Sequence, residues 1–280
     1  MKLSSKMREN IIGYAFIAPS LLGLLIFIGF PVIFSLVVSF SDWDYTQGLG
    51  AIEFNFGKNY IEIWKDDWFL ISLKNTFLYT IITVPVSIIA SLIFAALIEK
   101  FAAFKNVLKL MFFMPHLSNV VALSIVWQMM LVPSGLISLA VKAFGLDPPL
   151  WLADQHWALF AIMGMAIWSG LGFGILIYSA AINGISPEYY EAADIDGAGE
   201  VKKFFRITVP MLSPTTFFLF IVTMISSFRV FGSINVMTQG GPGNATSVLV
   251  FYIYRTAFDL PRLFYTLWLL CSRFCLLSVS

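Results

Sequence analysis

The stretch that decides the fold lies between Asp154 and Glu188 and reads QHWALFAIMGMAIWSGLGFGILIYSAAINGISP, residues 155–187. These 33 consecutive residues contain no Asp, Glu, Lys or Arg. A helix needs about 20 apolar residues to cross roughly 30 Å of hydrocarbon, whereas a membrane strand needs about 10 residues of alternating pattern. The stretch therefore predicts a membrane-spanning helix near residues 158–182.

Similar charge-free stretches recur along the rest of the chain. They predict four more spanning helices and a weaker sixth one, at residues 13–39, 70–98, 108–131, 214–237 and 262–280. The predicted fold class is therefore all-α, a polytopic membrane protein with about six transmembrane helices. We divide the chain into an N-terminal helix with an acidic outer loop, residues 1–69, and a transmembrane core, residues 70–280.

The composition excludes other classes of protein. Hydrophobic residues make up 59% of the 280 residues, and charged residues only 12%, about half the usual share for a soluble domain. The chain is too apolar to be intrinsically disordered. Its net charge of +1 argues against a nucleic-acid partner, because a chain that binds nucleic acid needs an excess of Lys and Arg to neutralise the phosphates. We therefore expect contact with membrane lipid and none with nucleic acid.

The first predicted helix resembles a signal peptide only at its start. Lys2, Lys6 and Arg8 precede it, as in a signal. Its apolar stretch is too long, however, and Pro31 is followed by more apolar residues, so we expect a retained helix. Lys and Arg in the short loops favour an N-terminus inside by about nine to six.

One predicted inner loop, residues 183–213, is unusually charged. Its first 30 residues hold eight charges, about a quarter of those in the chain. An amphipathic hairpin that merely joins two spans is one interpretation of such a loop. The loop lies between the fourth and fifth predicted helices. The second interpretation is that it binds a partner protein.

Local signals predict two short helices in this loop. Ser186 followed by Pro187 is typical of a helix start. The glycines of residues 197–199 predict a break, and a second helix follows at residues 200–206. We expect Pro210 and Pro214 to end that second helix before the next span begins.

The spacing inside the loop matches a specific pattern. Glu191-Ala192-Ala193 is followed after three residues by Gly197, and after nine more by residues 207–210, Ile-Thr-Val-Pro. This resembles the EAA loop of ABC-importer permeases, which reads Glu-Ala-Ala, three residues, Gly, nine residues, Ile, any residue, Leu, Pro. Only the Leu position departs from the pattern, by a conservative change to Val.

The resemblance extends over roughly residues 10–260 and points to carbohydrate-importer permeases of the maltose and glycerol-phosphate type. The segments that carry it lie at residues 14–19 (YAFIAP), 30–31 (FP), 73–76 (LKNT), 112–115 (FFMP), 227–231 (SFRVF), 237–243 (MTQGGPG) and 244–258. Such a permease pairs with a second homologous permease subunit and forms half of the pathway for a sugar or related solute. The family resemblance also implies a bacterial cytoplasmic (inner) membrane.

The resemblance further implies a cytoplasmic ABC ATPase dimer as partner and an extracytoplasmic solute-binding protein. In the family, the EAA helix docks on the ATPase and transmits its opening and closing. The residues that match the coupling motif or lie within it are Glu191, Ala192, Ala193, Asp194, Gly197, Ile207 and Pro210.

The chain is not expected to be an enzyme. It contains no G-x-x-x-x-G-K-[ST] phosphate loop, the motif that cradles nucleotide phosphates, so ATP and Mg²⁺ would be used by the partner ATPase. Gly170, Gly172 and Gly174 lie in an apolar span, where glycine permits close helix packing. We expect no catalytic residue and no resident cofactor. We also expect no metal site, since His116 and His156 are far apart in sequence.

Polar residues inside the predicted spans are the candidates for the translocation pathway, because intramembrane polar groups are costly and often functional. We select Arg229, Asn235, Ser169 and Gln128. The alternative is that each makes a structural hydrogen bond between helices. For Gln128, and for Asn75 in the second predicted span, that alternative is favoured.

Two other functions would require residues of a different kind. A secondary transporter or channel would carry buried acidic residues for proton or sodium coupling, and none lies in a predicted span. A membrane enzyme would need a nucleophile–base pair or a metal cluster, and the predicted spans contain neither.

The C-terminal residues depart from the family pattern because Arg273 falls inside the sixth span. We therefore expect an altered end there, such as a frameshift or truncation.

Overall fold

A computed structural model describes residues 5–42 and 53–258, which fall into two compact units. The first contains the described residues up to 67 together with 253–258, and the second contains residues 68–252. The sixth predicted span, with Arg273, lies outside the described residues. The domain division after residue 69 stays a prediction.

The N-terminal part of the first unit consists of a long apolar helical stretch, a short pair of strands and a short helix. Its elements are α1 (Ser5–Leu24), a π-helical turn (Leu25–Gly29), α2 (Phe30–Ser39), β1 (Ser41–Asp42), β2 (Glu53–Phe54) and α3 (Lys58–Ile63). The two strands are antiparallel and pair Ser41 with Phe54. Buried Asn59 donates through Nδ2 to the carbonyl oxygens of Ser39 and Ser41, at 3.2 and 3.0 Å. These bonds hold α3 against the end of α2.

The remaining helices run from α4 to α14. They are α4 (Asp67–Phe101), α5 (Lys105–Leu117), α6 (Val120–Leu131), α7 (Leu136–Ala143), α8 (Ala158–Asn183), α9 (Pro187–Ile195), α10 (Glu200–Lys203), α11 (Val209–Met211), α12 (Ser213–Phe228), α13 (Gly232–Met237) and α14 (Leu249–Phe258), with a π-helical turn at Phe204–Thr208. The predicted all-α fold class is confirmed.

Four helical stretches of the described residues are long and apolar enough to cross a membrane: Glu9–Ser39, Asp67–Phe101, Val120–Ala143 and Ala158–Asn183. A fifth is obtained if Glu200–Met211 and Ser213–Phe228, which meet at a bend of 65°, are counted as one span. The polytopic prediction is therefore confirmed, whereas the count of six is not.

Two predicted spans are not single helices. The span predicted at 108–131 is divided between α5 and α6, because Asn119 caps α6 by accepting a hydrogen bond from the Val121 amide at 2.8 Å. The span predicted at 214–237 is broken after Phe228, and a new helix begins at Gly232. A hydropathy window averages over such breaks and does not detect them.

Helix α8 packs closely against two neighbours through its glycines. A Cβ atom on Gly172 would lie 2.1 Å from the Phe112 carbonyl oxygen of α5, and one on Gly174 would lie 2.4 Å from Ser91 Oγ of α4. Around Gly170 there is open space. The packing role predicted for the three glycines is therefore confirmed for Gly172 and Gly174, where small residues allow close backbone approach.

Helix α12 completes this group of helices. Tyr178 of α8 is fully buried and donates through its hydroxyl to Thr216 Oγ1 at 3.0 Å. Buried Ser227 donates to Thr80 Oγ1 of α4, also at 3.0 Å. Hydrogen bonds between membrane helices add to the van der Waals packing that holds such bundles together, so α4, α8 and α12 are fixed relative to one another.

Candidate functional site

The charged loop at residues 183–213 forms a hairpin that begins with α9. Ser186 occupies the N-cap position with extended backbone, Pro187 is the first helical residue, and Glu188 lies in the first turn. Both the predicted start of the helix and its break after Asp196 are confirmed. Proline suits the first turn because its missing N–H would have no partner there.

The turn that ends α9 is built on Gly197. Its φ of +69° lies in the left-handed region, which glycine adopts without steric cost. The Ala198 amide donates to the Ala193 carbonyl at 2.9 Å, and the Gly197 amide to the Asp194 carbonyl at 3.0 Å. These two bonds form a Schellman motif, so the sharp turn follows from the glycine of the EAA pattern.

The outer face of α9 is open to a partner. Glu191 and Ala192 are exposed, and Ile195 is 89% exposed. Ala193 is half-buried. This face thus combines a carboxylate, small side chains and an unburied apolar residue, a combination suited to a protein contact.

Charge contacts hold the second arm of the hairpin. Lys203 of α10 is buried, and its Nζ lies 2.6 Å from Asp194 Oδ1 and 2.9 Å from Glu200 Oε1. Glu200 also pairs with Lys100 at the end of α4. Hydrogen bonds from Lys100 and then Lys203 hold the pKa of the Glu200 carboxyl below its usual range. Hydrogen bonds to Asp194 and then Glu200 raise the pKa of Lys203.

The last two motif residues lie on the return segment. Ile207 is half-buried in the π-helical turn, and Pro210 is exposed in α11. The segment is tied to α9 by a 2.9 Å hydrogen bond between the hydroxyls of Tyr190 and Thr208. The second helix of the hairpin ends at Met211, one residue after Pro210, and α12 begins at Ser213 after a bend of 65°. The helix therefore ends before the next span as the prolines predict, while Pro214 itself lies in the first turn of α12, where proline is tolerated.

A second candidate site is a cavity of about 240 Å³ among α4, α5, α8 and α12. Its polar lining consists of Ser87, Ser91, His116, Thr223 and Ser226. The His116 ring stacks on Phe173, which also lines the cavity, at a centroid distance of 5.4 Å. Hydroxyl groups and an aromatic face in one cavity suit a ligand that is rich in hydroxyl groups and has an apolar ring face.

None of the four predicted pathway residues lines this cavity. Ser169 donates within its own helix to the Ala166 carbonyl, and Gln128 donates to the Met237 carbonyl at 3.5 Å. Asn235 is half-buried on α13. Arg229 is exposed, and its side chain forms no ion pair or hydrogen bond with the residues that the structure describes. Among the described residues, no hydrogen bond or ion pair joins any two of these four.

Sequence reasoning did not select the hydroxyl groups of the cavity. Ser and Thr are common in apolar helices, where they often donate to their own backbone, as Ser226 does to the Val222 carbonyl at 2.9 Å. The available signal was spacing. Ser87 and Ser91 are four residues apart and Thr223 and Ser226 three apart, which places each pair on one helix face.

Other polar groups of the spans have structural roles. Buried Asn75 donates to the carbonyl oxygens of Asn244 and Ser247, at 3.1 and 2.9 Å, which is the structural alternative that the sequence favoured. Among the described residues there is no group of three or more His, Cys, Asp or Glu side chains that could hold a metal ion.

The apolar helices define a multi-pass membrane protein, with a charged hairpin and a polar cavity between the spanning helices. Residues 67–279 match the family described as the binding-protein-dependent transport system inner membrane component, and the chain belongs to this family. The family expected from the EAA pattern is thereby confirmed.

Two relatives illustrate the family. The lactose transport system permease protein LacF of Rhizobium radiobacter is 32% identical over 260 residues, which cover 91% of this chain and 86% of that protein. The sn-glycerol-3-phosphate transport system permease protein UgpA of Shigella flexneri is 29% identical over 255 residues, with coverages of 90% and 85%. Relatives of this chain are thus permease subunits of transporters.

A solved structure shares the fold. A bacterial ABC transporter involved in the import of the acidic polysaccharide alginate contains a chain that superimposes with a TM-score of 0.81 at 22% identity, over 98% of this chain and 93% of that one. A second structure shows a bacterial alginate ABC transporter in complex with an alginate pentasaccharide-bound periplasmic protein. Its matching chain superimposes on this one with a TM-score of 0.81 at 23% identity.

Proposed function

We propose that this chain is one permease subunit of an ATP-driven, binding-protein-dependent ABC importer, and that it forms half of the pathway for a sugar or related solute. The observation that carries the proposal is the family match over residues 67–279. The named relatives that transport lactose, arabinooligosaccharides and sn-glycerol-3-phosphate support a carbohydrate or a polyol phosphate as the class of solute.

The proposed partners follow from the family and from the exposed face of α9. A cytoplasmic ATPase dimer binds this face, a second permease subunit completes the pathway, and an extracytoplasmic protein delivers the solute. The permease itself hydrolyses no ATP, holds no cofactor and acts in the cytoplasmic membrane with its N-terminus inside. The known complex of an alginate transporter with a periplasmic protein supports the extracytoplasmic solute-delivering protein as a partner.

The coupling site consists of the motif residues of the hairpin, namely Glu191, Ala192, Ala193, Asp194, Gly197, Ile207 and Pro210. The exposed Glu191 carboxylate pairs with a cationic group of the ATPase, and Ala192 allows close approach. The Gly197 turn supports this assignment because it leaves the outer face of α9 uncovered.

The solute passes through the cavity lined by Ser87, Ser91, Thr223, Ser226 and Phe173. The hydroxyl groups exchange hydrogen bonds with the solute, and the aromatic face contacts the apolar face of a sugar ring. Arg229, Asn235, Ser169 and Gln128 remain candidates for other parts of the pathway. Exposed Arg229 pairs either with the solute or with the second permease subunit, since an uncompensated charge in a span is costly.

Uptake measurements test this function. The permease is reconstituted into vesicles with its ATPase, its second permease subunit and its solute-binding protein. We expect uptake only with ATP and binding protein, and unchanged uptake when an uncoupler is added while ATP is maintained. Uptake driven by an ion gradient without ATP would instead establish the secondary transporter.

The coupling site has its own test in the same vesicles. Glu191→Lys should abolish uptake while insertion into the membrane stays normal, because no spanning helix is altered. Gly197→Asp should act in the same direction, because it adds a negative charge at the C-terminal end of α9, where the helix dipole disfavours it. Normal uptake by both variants would remove the coupling assignment.

A further inference from the structure

The cytoplasmic end of α4 carries two adjacent charges that contact different parts of the molecule. Successive helical residues point about 100° apart, so Glu99 and Lys100 diverge. Glu99 faces α5, where it pairs with Lys109 and lies 3.6 Å from Lys105 Nζ. Its side chain is only 8% exposed. Lys100 faces the hairpin and pairs with Glu200 of α10.

The contacts of Glu200 continue into the hairpin. Its second partner is Lys203, whose side chain is 9% exposed and whose Nζ also reaches Asp194 of α9 at 2.6 Å. An unbroken line of charge contacts therefore joins Asp194, Lys203, Glu200 and Lys100. Glu99, the residue before Lys100 in α4, extends the line to α5 through its pair with Lys109. We call these five residues the ionic relay.

Apolar side chains connect the second arm of the hairpin to α4, since Val201 and Phe204 line one pocket with Leu97 and Phe101, but no residue of α9 lines that pocket. No residue of α9 is buried, and Lys203 is the buried residue of α10. Besides the chain itself, α9 is linked to the return segment by the hydrogen bond between Tyr190 and Thr208. Among the described residues, the ionic relay is therefore the line of polar contacts that runs from α9 to α4 and α5.

We propose that the ionic relay transmits movement of α9 to the membrane helices α4 and α5, with Lys203, Glu200 and Lys100 as positioning residues. This inference rests on the proposed coupling of α9 to an ATPase. Both α4 and α5 line the polar cavity, through Ser87, Ser91 and His116. A displacement of α9 that the relay passes to these helices therefore changes the cavity.

A merely structural role for these pairs makes a different prediction. Structural pairs affect how much complex assembles and how well it resists heat, but each assembled complex works normally. A relay affects how strongly the loaded solute-binding protein stimulates ATP hydrolysis in complexes that assemble normally. The amount of complex and its stimulated hydrolysis are therefore both measured.

The test uses charge reversal in the complete complex reconstituted in vesicles. Lys100→Glu and Glu200→Lys are made singly and together, so that the double variant restores an ion pair of opposite sense. We expect each single variant to lower the stimulation about tenfold, within the usual range of coupling between sites, with basal hydrolysis retained. The double variant should recover part of it, because the pair between positions 100 and 200 is restored while Lys203 keeps only its contact with Asp194. Lys58→Glu, which reverses a charge in another exposed pair, is the control.

Three outcomes overturn the relay: normal stimulation in both single variants, a double variant no better than the single ones, or an equal loss in the control. If charge reversal prevents assembly, Lys100→Gln and Glu200→Gln are measured instead, with the same expected loss. Glu191→Lys in the same assay separates the two hypotheses. Loss with that variant but not with the Lys100 and Glu200 variants removes the relay alone, whereas normal stimulation with it removes the coupling of α9.

Discussion

Gly197 is the residue on which the shape of the hairpin depends most directly. Its φ is +69°, and an added Cβ would meet no atom within 4 Å. A larger side chain is therefore opposed by backbone strain and not by a clash. A left-handed conformation costs an ordinary residue about 1–2 kcal/mol, while Asn and Asp adopt it more readily.

This distinction gives a matched pair of variants. Gly197→Val should lower uptake strongly, because a β-branched residue disfavours the turn that presents α9. Gly197→Asn should keep most of the uptake, since Asn is the usual substitute at this position of a helix end. Uptake per assembled complex is the measurement. Equal loss with both residues would mean that the site needs the absence of a side chain and not the left-handed turn.

At the scale of single elements, α8 offers a comparison between two of its own glycines. Gly172→Ala places a methyl group 2.1 Å from the Phe112 carbonyl oxygen, a backbone atom of α5 that cannot rotate away. We expect the two helices to separate, at a cost of about 1–3 kcal/mol for overpacking. The thermal midpoint of the purified protein in detergent should therefore fall.

Gly164→Ala is the control for this change. It adds the same methyl group to the same helix, but no atom lies within 4 Å of the new Cβ. Its thermal midpoint should be unchanged or slightly raised, because alanine favours helix over glycine. A similar decrease in both variants would contradict the close-packing role of Gly172.

The cavity formed by four helices supports a third prediction. Thr223→Val keeps the shape of the side chain and removes one hydroxyl group from the lining. We expect a lower rate of uptake with little change in ATP hydrolysis, since the lost hydrogen bond is made to the solute. Thr215→Val, on the same helix and outside the cavity lining, should leave uptake unchanged. An equal effect of the two substitutions would remove Thr223 from the pathway.

The sequence predicts elements better than it predicts their ends. The charge-free stretch of residues 155–187 contains one helix, Ala158–Asn183, because hydrophobicity over 20 residues leaves little choice. The break at Asn119 depends on one side chain bonding to a nearby amide, and hydropathy does not register it. Pro210 and Pro214 show a related ambiguity, because Pro210 precedes a helix end at Met211 whereas Pro214 lies in the first turn of α12, and the two cases look the same in sequence.

At the scale of the whole molecule, the candidate site divides in the same way. The spacing of Glu191, Gly197 and Ile207 predicts the hairpin because turn chemistry is local. The relay partners Lys100 and Glu200 are 100 residues apart, and the cavity joins side chains from four helices. Such contacts depend on how helices pack, which neither periodicity nor composition specifies.

The orientation of the molecule in the membrane is the last prediction, and it can be measured by cysteine labelling because the sequence has only two native cysteines to replace. Cys271 and Cys275 are the only cysteines of the sequence, so replacing both with Ser gives a background for single reporters. Lys6, Lys202 and Asp147 are exposed positions before the first span, in the hairpin and between α7 and α8. Four of the spanning stretches separate Lys6 from Lys202, and three separate it from Asp147.

Because an even number of crossings returns the chain to its starting side, Lys6→Cys and Lys202→Cys should react from the same side of the membrane. Asp147→Cys should react from the opposite side. With the N-terminus inside, an impermeant thiol reagent added to intact cells should label Asp147→Cys alone, and permeabilised cells should show all three labelled. Labelling of Lys202→Cys in intact cells would place the hairpin outside. No cytoplasmic ATPase could then bind α9, and both the coupling site and the relay would lose their basis.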